Sequence, residues 1–335
     1  MNKRGYMKRY ASILLSIFMI MLLCSCERPA ENKLSSTQVM MDTVITVTVW
    51  GTDEETLNGA IELCKSSEQM LSRTVAQSDV SNINSAKPAT VSADTAELLN
   101  LALEISEKSQ GAFDITVLPL VELWDINNRT SPPDKGEVAE ALNSVNYRNL
   151  KINGTTVTPN GTKIDLGGIA KGYIADKVCA YLKTKGVERA IINLGGNVCV
   201  LGQHTEKLYS VGIQKPFALH GESAAILKIN NKTAVTSGIY ERYFEYDGRI
   251  YHHIIDPKTG YPADNGIQSV TVVTENSAVA DALSTACLIL GVDGGMKLAK
   301  QYNAETVFIL SSGEIKVSNG LDINRNGTTP TITYK

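Results

Sequence analysis

The chain has 335 residues, with 32 Lys and Arg, 35 Asp and Glu, six Cys and four His. Four of the cations fall within the first nine residues, which leaves 28 against 35 and a net of −7 for the rest. A body of that sign has no basic footprint for nucleic acid and lacks the aromatic platforms a single strand would stack on, and without a Cys-x-x-Cys pair or a Cys/His cluster zinc is not supported.

Lys3, Arg4, Lys8 and Arg9 form a basic head, and an apolar run from Ala11 to Leu23 follows. This is the layout of a secretory signal, too short for a membrane span with flanks. The run closes in Leu23-Cys24-Ser25-Cys26, which resembles the lipobox of bacterial lipoproteins. There a small residue precedes the Cys that receives diacylglycerol and becomes the new N-terminus. Cys26 fits, with Ser25 before it, whereas Cys24 follows the bulky Leu23. The expectations are a signal peptide over 1–25, lipidation at Cys26 and a polar tether over 26–37. They place the protein at the cell membrane, lipid-anchored on the extracytoplasmic face. An uncleaved anchor helix is the alternative.

Residues 38–335 have the size of one large domain or two closely packed lobes. Val39 to Trp50 alternates β-branched residues as a strand does. Asp53 to Leu71 has helical spacing after the start signal Thr52-Asp53, and a second helix runs from Thr95 to Ser109, closed by Gly111. Pro133-Asp134 opens a third helix to about Asn143. Hairpins are predicted over Leu150–Thr158, turning at Asn153-Gly154, and over Tyr240–Ile255, turning at Asp247-Gly248. Strand-like runs recur at 190–194, 208–214, 223–229, 267–274 and 305–310, with helices at 169–185, 278–290 and 293–302. Hairpin-linked strands with irregularly interspersed helices predict an α+β fold of mixed or antiparallel sheets. Cys64, Cys179, Cys199 and Cys287 read as buried small hydrophobes, with a disulfide pair as the alternative.

Three segments stand out chemically. In Lys163-Ile-Asp-Leu-Gly-Gly-Ile-Ala-Lys-Gly-Tyr173 a strand ends at Asp165, two glycines turn the chain and a helix begins. Backbone N–H groups there can face an anion, and Lys171 adds a cation; Gly-Gly also serves ordinary turns. In Tyr251-His-His-Ile-Ile-Asp-Pro257, His252 and His253 lie on opposite faces of a strand, so at most one points into a given site. That one can hold a phosphate or shuttle a proton; the plainer reading is a hairpin on a half-exposed sheet. In Ala280-Asp-Ala-Leu-Ser-Thr285, Asp281 and Thr285 stand at i and i+4 on one helix face. A carboxylate and a hydroxyl so placed suit a hard cation such as Mg2+, and a helix-capping Asp is the alternative.

Taken in order along the chain, these segments resemble the ApbE-type flavin transferases, also called FAD:protein FMN transferases. The resemblance covers residues 38–320. It runs through Met41-Asp42-Thr43, Leu71-Ser72 to Ser78-Asp-Val-Ser-Asn-Ile-Asn84, Gly111-Ala-Phe-Asp114, Asp165-Leu-Gly-Gly-Ile-Ala-Lys-Gly-Tyr173 and Asn193-Leu-Gly-Gly-Asn197. Thr236-Ser-Gly238, His253-Ile-Ile-Asp-Pro-Lys-Thr-Gly260 and Ala280-Asp-Ala-Leu-Ser-Thr-Ala286 complete it. The chain departs from the family pattern at Asp42, where the family has Gly, and at Thr74, where it often has an aromatic residue.

The resemblance implies that Met41, Ala112, Phe113, Asp114, Asp165, Lys171, His253 and Ile254 line a site for FAD, bordered by Ser72 and Ser78. It implies Mg2+ on Asp281 and Thr285 with the carbonyl of Gly168, and a catalytic role for Asp281 and His253. The implied reaction is Mg2+-dependent transfer of FMN from FAD, as substrate, to a Thr or Ser hydroxyl of an exported or membrane protein, such as a membrane redox subunit, with release of AMP. An FAD pyrophosphatase giving FMN and AMP, or a non-catalytic FAD-binding lipoprotein, are the alternatives.

Overall fold

The β-branched run at the start folds as a hairpin rather than as one strand. Strand β1 (Lys33–Met40) pairs antiparallel with β2 (Thr43–Trp50), and the chain turns at Met41 and Asp42, which take φ of 52° and 56°. The structure is a computed structural model that describes residues 32–85, 87–203, 207–219 and 221–335. Cys26 and the expected signal peptide lie outside the described residues. Of the tether expected over 26–37, residues 33–37 belong instead to β1 and are ladder-paired with β2, and residues 26–31 lie outside the described residues.

Helix α1 (Glu54–Leu71) follows, capped by the Asp53 side chain on the Thr56 N–H. Next come the short α2 (Asp79–Ile83), β3 (Ala89–Thr90), α3 (Ala93–Lys108), α4 (Leu118–Trp124), α5 (Lys135–Leu142), β4 (Lys151–Asn153) and β5 (Thr156–Thr158). Helix α5 starts at a capping box between Asp134 and Glu137, and α4 accommodates Pro119 within its first turn, where a missing N–H costs nothing. Helix α6 (Ala170–Thr184) leads into β6 (Arg189–Leu194), β7 (Asn197–Leu201), β8 (Tyr209–Gln214), β9 (Ser223–Ile229) and β10 (Thr233–Gly238). A hairpin of β11 (Tyr243–Tyr246) and β12 (Arg249–His252) turns at Asp247-Gly248, as predicted, with both residues at positive φ. The chain closes with β13 (Ile267–Thr274), α7 (Ser277–Lys300), β14 (Glu305–Leu310), β15 (Ile315–Val317), β16 (Leu321–Asn324) and β17 (Thr331–Tyr334).

Eight strands form one antiparallel sheet in the order β1-β2-β6-β7-β10-β13-β14-β15. Its faces are buried on different partners, and period-2 alternation sorts the side chains. Val235, Val270, Val272 and Phe308 join the core under α1, α3, α6 and α7. Their neighbours Ala234, Val273, Val307 and Ile309 join a second core against the four-stranded sheet β16-β17-β9-β8. Burial on both faces explains why β13 reads as an almost unbroken apolar run. The α+β class of antiparallel sheets and interspersed helices is as expected. The two lobes expected are two core layers sharing one sheet, inside a single compact unit from Lys33 to Lys335. A smaller cluster of Leu120, Trp124, Val138 and Ile255 seats α4 and α5 beside the hairpin.

Helix α7 has the length and hydropathy of a membrane span, but its residues from Ser277 to Ser284 are buried against the sheet and neighbouring helices. It breaks at Gly291, at φ 80° and ψ 176°, where two helices were predicted. The four cysteines among the described residues are free and buried, and the Cys179 and Cys199 sulfurs lie 2.9 Å apart between α6 and β7.

Candidate active site

The glycine turn before α6 is fixed from several sides. Asn84 clamps Ile164 with both amide atoms, at 2.9 Å to its carbonyl and 2.7 Å from its N–H. The Asp165 N–H donates to the Ile115 carbonyl. Asp165 Oδ1 accepts the Gly167 N–H at 2.6 Å, and its other oxygen pairs with Arg73 Nε at 2.9 Å. That ion pair ties the Leu71–Ser78 segment to the glycine turn.

Gly168 lies between an aromatic ring and a hydroxyl. A Cβ added there would stand 3.2 Å from Phe113 Cε2 and 3.7 Å from Thr285 Oγ1. Residues more than a hundred positions apart thus meet at one point. Lys171 Nζ donates back to the Gly167 carbonyl at 3.2 Å. Gly172 allows α6 to touch the start of α7, since a Cβ there would sit 2.1 Å from the Ser277 carbonyl oxygen. This close approach lets the Gly172 N–H donate to Asp281 Oδ2 at 2.9 Å.

Asp281 is 5% exposed. Burial pushes its carboxyl up, against the Lys171 charge and the Gly172 N–H, which pull it down. Its Oδ1 accepts no hydrogen bond among the described residues. The capping alternative fails, because Asn276 caps α7 and Asp176 accepts the Ser277 and Ala278 N–H groups. Thr285, one turn on, reaches Ser237 Oγ at 3.3 Å. Among the described residues no three His, Cys, Asp or Glu side chains gather around a point, so any cation here would rest on few, hard oxygen donors, the set suited to Mg2+.

The two histidines divide as alternation demands. His252 is buried, and its Nε2 meets the Ala263 carbonyl at 2.9 Å while Nδ1 accepts the Ile254 N–H. A carbonyl has no proton, so Nε2 donates and both ring nitrogens are used. His253 Nδ1 meets the Arg242 carbonyl at 3.3 Å and by the same reasoning donates, leaving Nε2 as an acceptor. Desolvation pushes the His253 imidazole down to about 3, with the Arg242, His252 and Lys171 charges acting in the same direction. Lys171 thus bears on both Asp281 and His253, which sets the three in one field.

Other expected site residues serve the frame. Asp114 Oδ1 accepts the Thr116 N–H and hydroxyl and Oδ2 accepts the Tyr147 N–H. Its carboxylate therefore orders the loop that carries Ala112 and Phe113. Ser78 caps α2 on the Ser81 N–H and donates to the Ser72 carbonyl, and the Ser72 hydroxyl meets Thr74. Ile254 is buried in the main core. The Met41 N–H donates to Glu68 at 2.7 Å, fixing the β1–β2 turn to α1. Arg73 and Ser237 were not singled out from sequence. Arg73 stands beside Ser72 at a position to which the resemblance assigns no role, and Ser237 lies in a motif whose middle hydroxyl had no assigned partner.

The relatives of this chain make it an enzyme of the transferase class. The chain belongs to the ApbE family, whose model matches residues 41–309. It is 37% identical over 299 residues to a FAD:protein FMN transferase of Klebsiella pneumoniae (strain 342), covering 86% of this chain and 93% of that one. It is 34% identical over 290 residues to a FAD:protein FMN transferase of Treponema pallidum (strain Nichols), covering 79% and 80%. The crystal structure of an ApbE protein from Thermotoga maritima superposes with a TM-score of 0.78 at 31% identity, covering 86% of this chain and 97% of that one. The apo form of the Pseudomonas stutzeri flavinyl transferase ApbE gives 0.77 at 26% identity, covering 86% and 95%.

Proposed function

We propose that the protein transfers FMN from FAD to a Thr or Ser hydroxyl of an exported or membrane protein, such as a membrane redox subunit, and releases AMP. The observation that carries the reading is Asp281, a buried carboxylate with one oxygen held by Gly172 and the other without a donor, beside Thr285 and Gly168. Burying an ionised carboxylate half-satisfied is costly unless a cation completes it. Asp281, Thr285 and the Gly168 carbonyl would hold Mg2+, which when bound neutralises charge on a pyrophosphate.

The chain's own groups do the rest. Lys171 and the N–H groups of the glycine turn favour an anionic phosphate. Met41, Phe113 and Asp165 line the space for the flavin nucleotide, on a frame set by Ser72, Ser78, Ala112, Asp114 and Ile254. The acceptor hydroxyl oxygen attacks the FMN-side phosphorus, the bond to the AMP oxygen breaks, and the hydroxyl proton passes to His253 Nε2.

Diacylglycerol on Cys26 would hold the enzyme at the extracytoplasmic face. The link from Cys26 to β1 then spans at most roughly 25 Å fully extended, so the acceptor must present its hydroxyl close to the membrane. Labelling cells with a radioactive fatty acid tests the anchor: the chain should label, and the Cys26→Ala variant should not.

The activity is tested by incubating the full chain, purified in detergent, with FAD, Mg2+ and a candidate acceptor, and weighing the acceptor by mass spectrometry. A mass gain equal to FMN is expected. FMN and AMP without that gain would replace the reading by hydrolysis, and intact FAD would leave only binding. Asp281→Ala should abolish turnover, and full activity in that variant would sink the metal assignment.

A further inference from the structure

Ser237 has no place in the chemistry above, yet it sits where the helix-facing row of β10 runs out. Two residues earlier on the same face is Val235, packed in the core. At Ser237 the row becomes polar and meets two hydroxyls of α7, Ser284 Oγ at 2.7 Å and Thr285 Oγ1 at 3.3 Å. Ser284 is fully buried.

Each hydroxyl has one proton to give, so the protons can be counted. Ser284 donates to the Asp281 carbonyl at 2.8 Å, which uses its proton. The short contact between Ser284 and Ser237 must then be donated by Ser237. With that proton used, the longer contact between Ser237 and Thr285 can only be donated by Thr285. The hydrogen bonds run in one direction, from Thr285 to Ser237 to Ser284 to the backbone of Asp281.

The direction matters for Thr285. A helical Thr ordinarily turns its hydroxyl proton back onto the carbonyl of residue i−4. Here that carbonyl belongs to Asp281 and is taken by Ser284. The Thr285 proton is drawn sideways to β10, and the oxygen keeps its lone pairs for the side where Gly168 lies. A cation ligand needs that arrangement, an oxygen with its proton held out of the way.

We propose that Ser237 is a positioning residue that fixes the Thr285 hydroxyl as an acceptor-only oxygen and so presets it to ligate a divalent cation. The proposal rests on the Mg2+ reading of Asp281 and Thr285. It also assigns Ser284 a role: without Ser284, the Ser237 proton is free to turn toward Thr285 and oppose it.

The test is a titration of Mn2+ into the full chain in detergent, following free Mn2+ by electron paramagnetic resonance, for wild type, Asp281→Ala, Ser237→Ala, Ser237→Thr and Ser284→Ala. Removing the group that orients a ligand typically weakens metal binding about 10- to 100-fold. Ser237→Ala and Ser284→Ala should therefore weaken Mn2+ about 10-fold. Ser237→Thr, which keeps the hydroxyl, should stay within about 3-fold of wild type, and far-UV circular dichroism should be unchanged throughout. Wild-type affinity in Ser237→Ala would overturn the proposal while leaving the cation site standing. Equal Mn2+ binding in wild type and Asp281→Ala would instead remove the cation site, and the proposal with it.

Discussion

Gly172→Ala would separate two helices at the point where they build the site. An alanine Cβ there would sit 2.1 Å from the Ser277 carbonyl oxygen and 2.7 Å from Ala278 Cα. Both are backbone atoms at the start of α7, so no side chain can swing aside. Ordinary contact near 3.5 Å requires α6 and α7 to part by about 1 Å or more. Overpacking of this kind costs typically ~1–3 kcal/mol and occasionally more, against about 1 kcal/mol gained from alanine's helix propensity. At the upper end of that balance, a net loss of about 2 kcal/mol corresponds to a melting point roughly 3 °C lower in a protein of this size. The same shift moves Asp281 away from the Gly172 N–H and Thr285 away from Gly168, and a 1 Å misplacement costs on the order of 10²-fold in rate. Gly59 is the control. A Cβ there would come within 2.0 Å of an atom, but that atom is the Tyr181 hydroxyl, at the tip of a side chain that can rotate. Gly59→Ala should leave stability and turnover within error of wild type or slightly raised. Differential scanning calorimetry and FMN transfer measured side by side decide it. If Gly172→Ala melts with wild type and turns over normally, the close approach of α6 and α7 does not hold the site.

Arg73→Gln removes a pair that is half in water (36% and 18% exposed). Its melting point should hardly move, since exposed pairs are worth about 0–1 kcal/mol, while the KM for FAD rises as Asp165 loosens; an unchanged KM would show that the pair does not serve the site. Because desolvation holds His253 near 3, its imidazole is neutral from pH 5 to 8, and the rate should show no break near pH 6.5 that disappears in His253→Gln. Such a break would refute the assignment. Asp176 is raised from 3.8 to about 6 by burial, which outweighs the Ala278 and Ser277 N–H groups that pull it down. The folded state therefore holds this proton more tightly than the unfolded chain. The contribution to stability is full below about pH 4 and is lost as pH rises through 6, by about 3 kcal/mol. Urea unfolding at pH 4.5 and pH 7 should show about 2 kcal/mol of that loss in wild type relative to Asp176→Asn, and parallel pH dependences would remove the effect.

Local structure was legible where local chemistry decides it. Asp53 and the Asp134–Glu137 box mark helix starts, and Asp247-Gly248 marks a hairpin turn, because caps and turns depend on a few adjacent residues. The β1–β2 hairpin was hidden because its turn is Met41-Asp42, two residues at positive φ with no glycine between the β-branched arms. Strands β7 and β10 overlap the motif segments; β7 forms a local hairpin with β6 across Gly195-Gly196, whereas β10 gains its place from the ladder to β7, more than 30 residues earlier. Strands β16 and β17 are polar at alternate positions and gain their place by covering the outer face of the large sheet. No local signal states that β2 lies against β6, more than 130 residues away, although that pairing sets Thr43 against Gly195.

The site was legible as a set of residues but not as a set of directions. Asp114 and Asp281 are both buried carboxylates in motif segments, one expected to line the FAD site and the other to hold a cation. Folding distinguishes them by what reaches their oxygens. Asp114 has both oxygens engaged, by Thr116 and Tyr147, within its own loop. Asp281 receives one N–H, from a glycine 109 positions earlier, and its other oxygen is left for a ligand. The difference arises because Gly172 lets two helices touch and because Asp176, not Asp281, caps α7. Thr285 follows the same rule. Its ability to ligate depends on where its proton goes, and that is decided by Ser237 on a strand of the sheet, which no spacing along α7 can reveal. Motifs name the atoms that chemistry requires, whereas long-range packing decides which lone pairs remain to perform it.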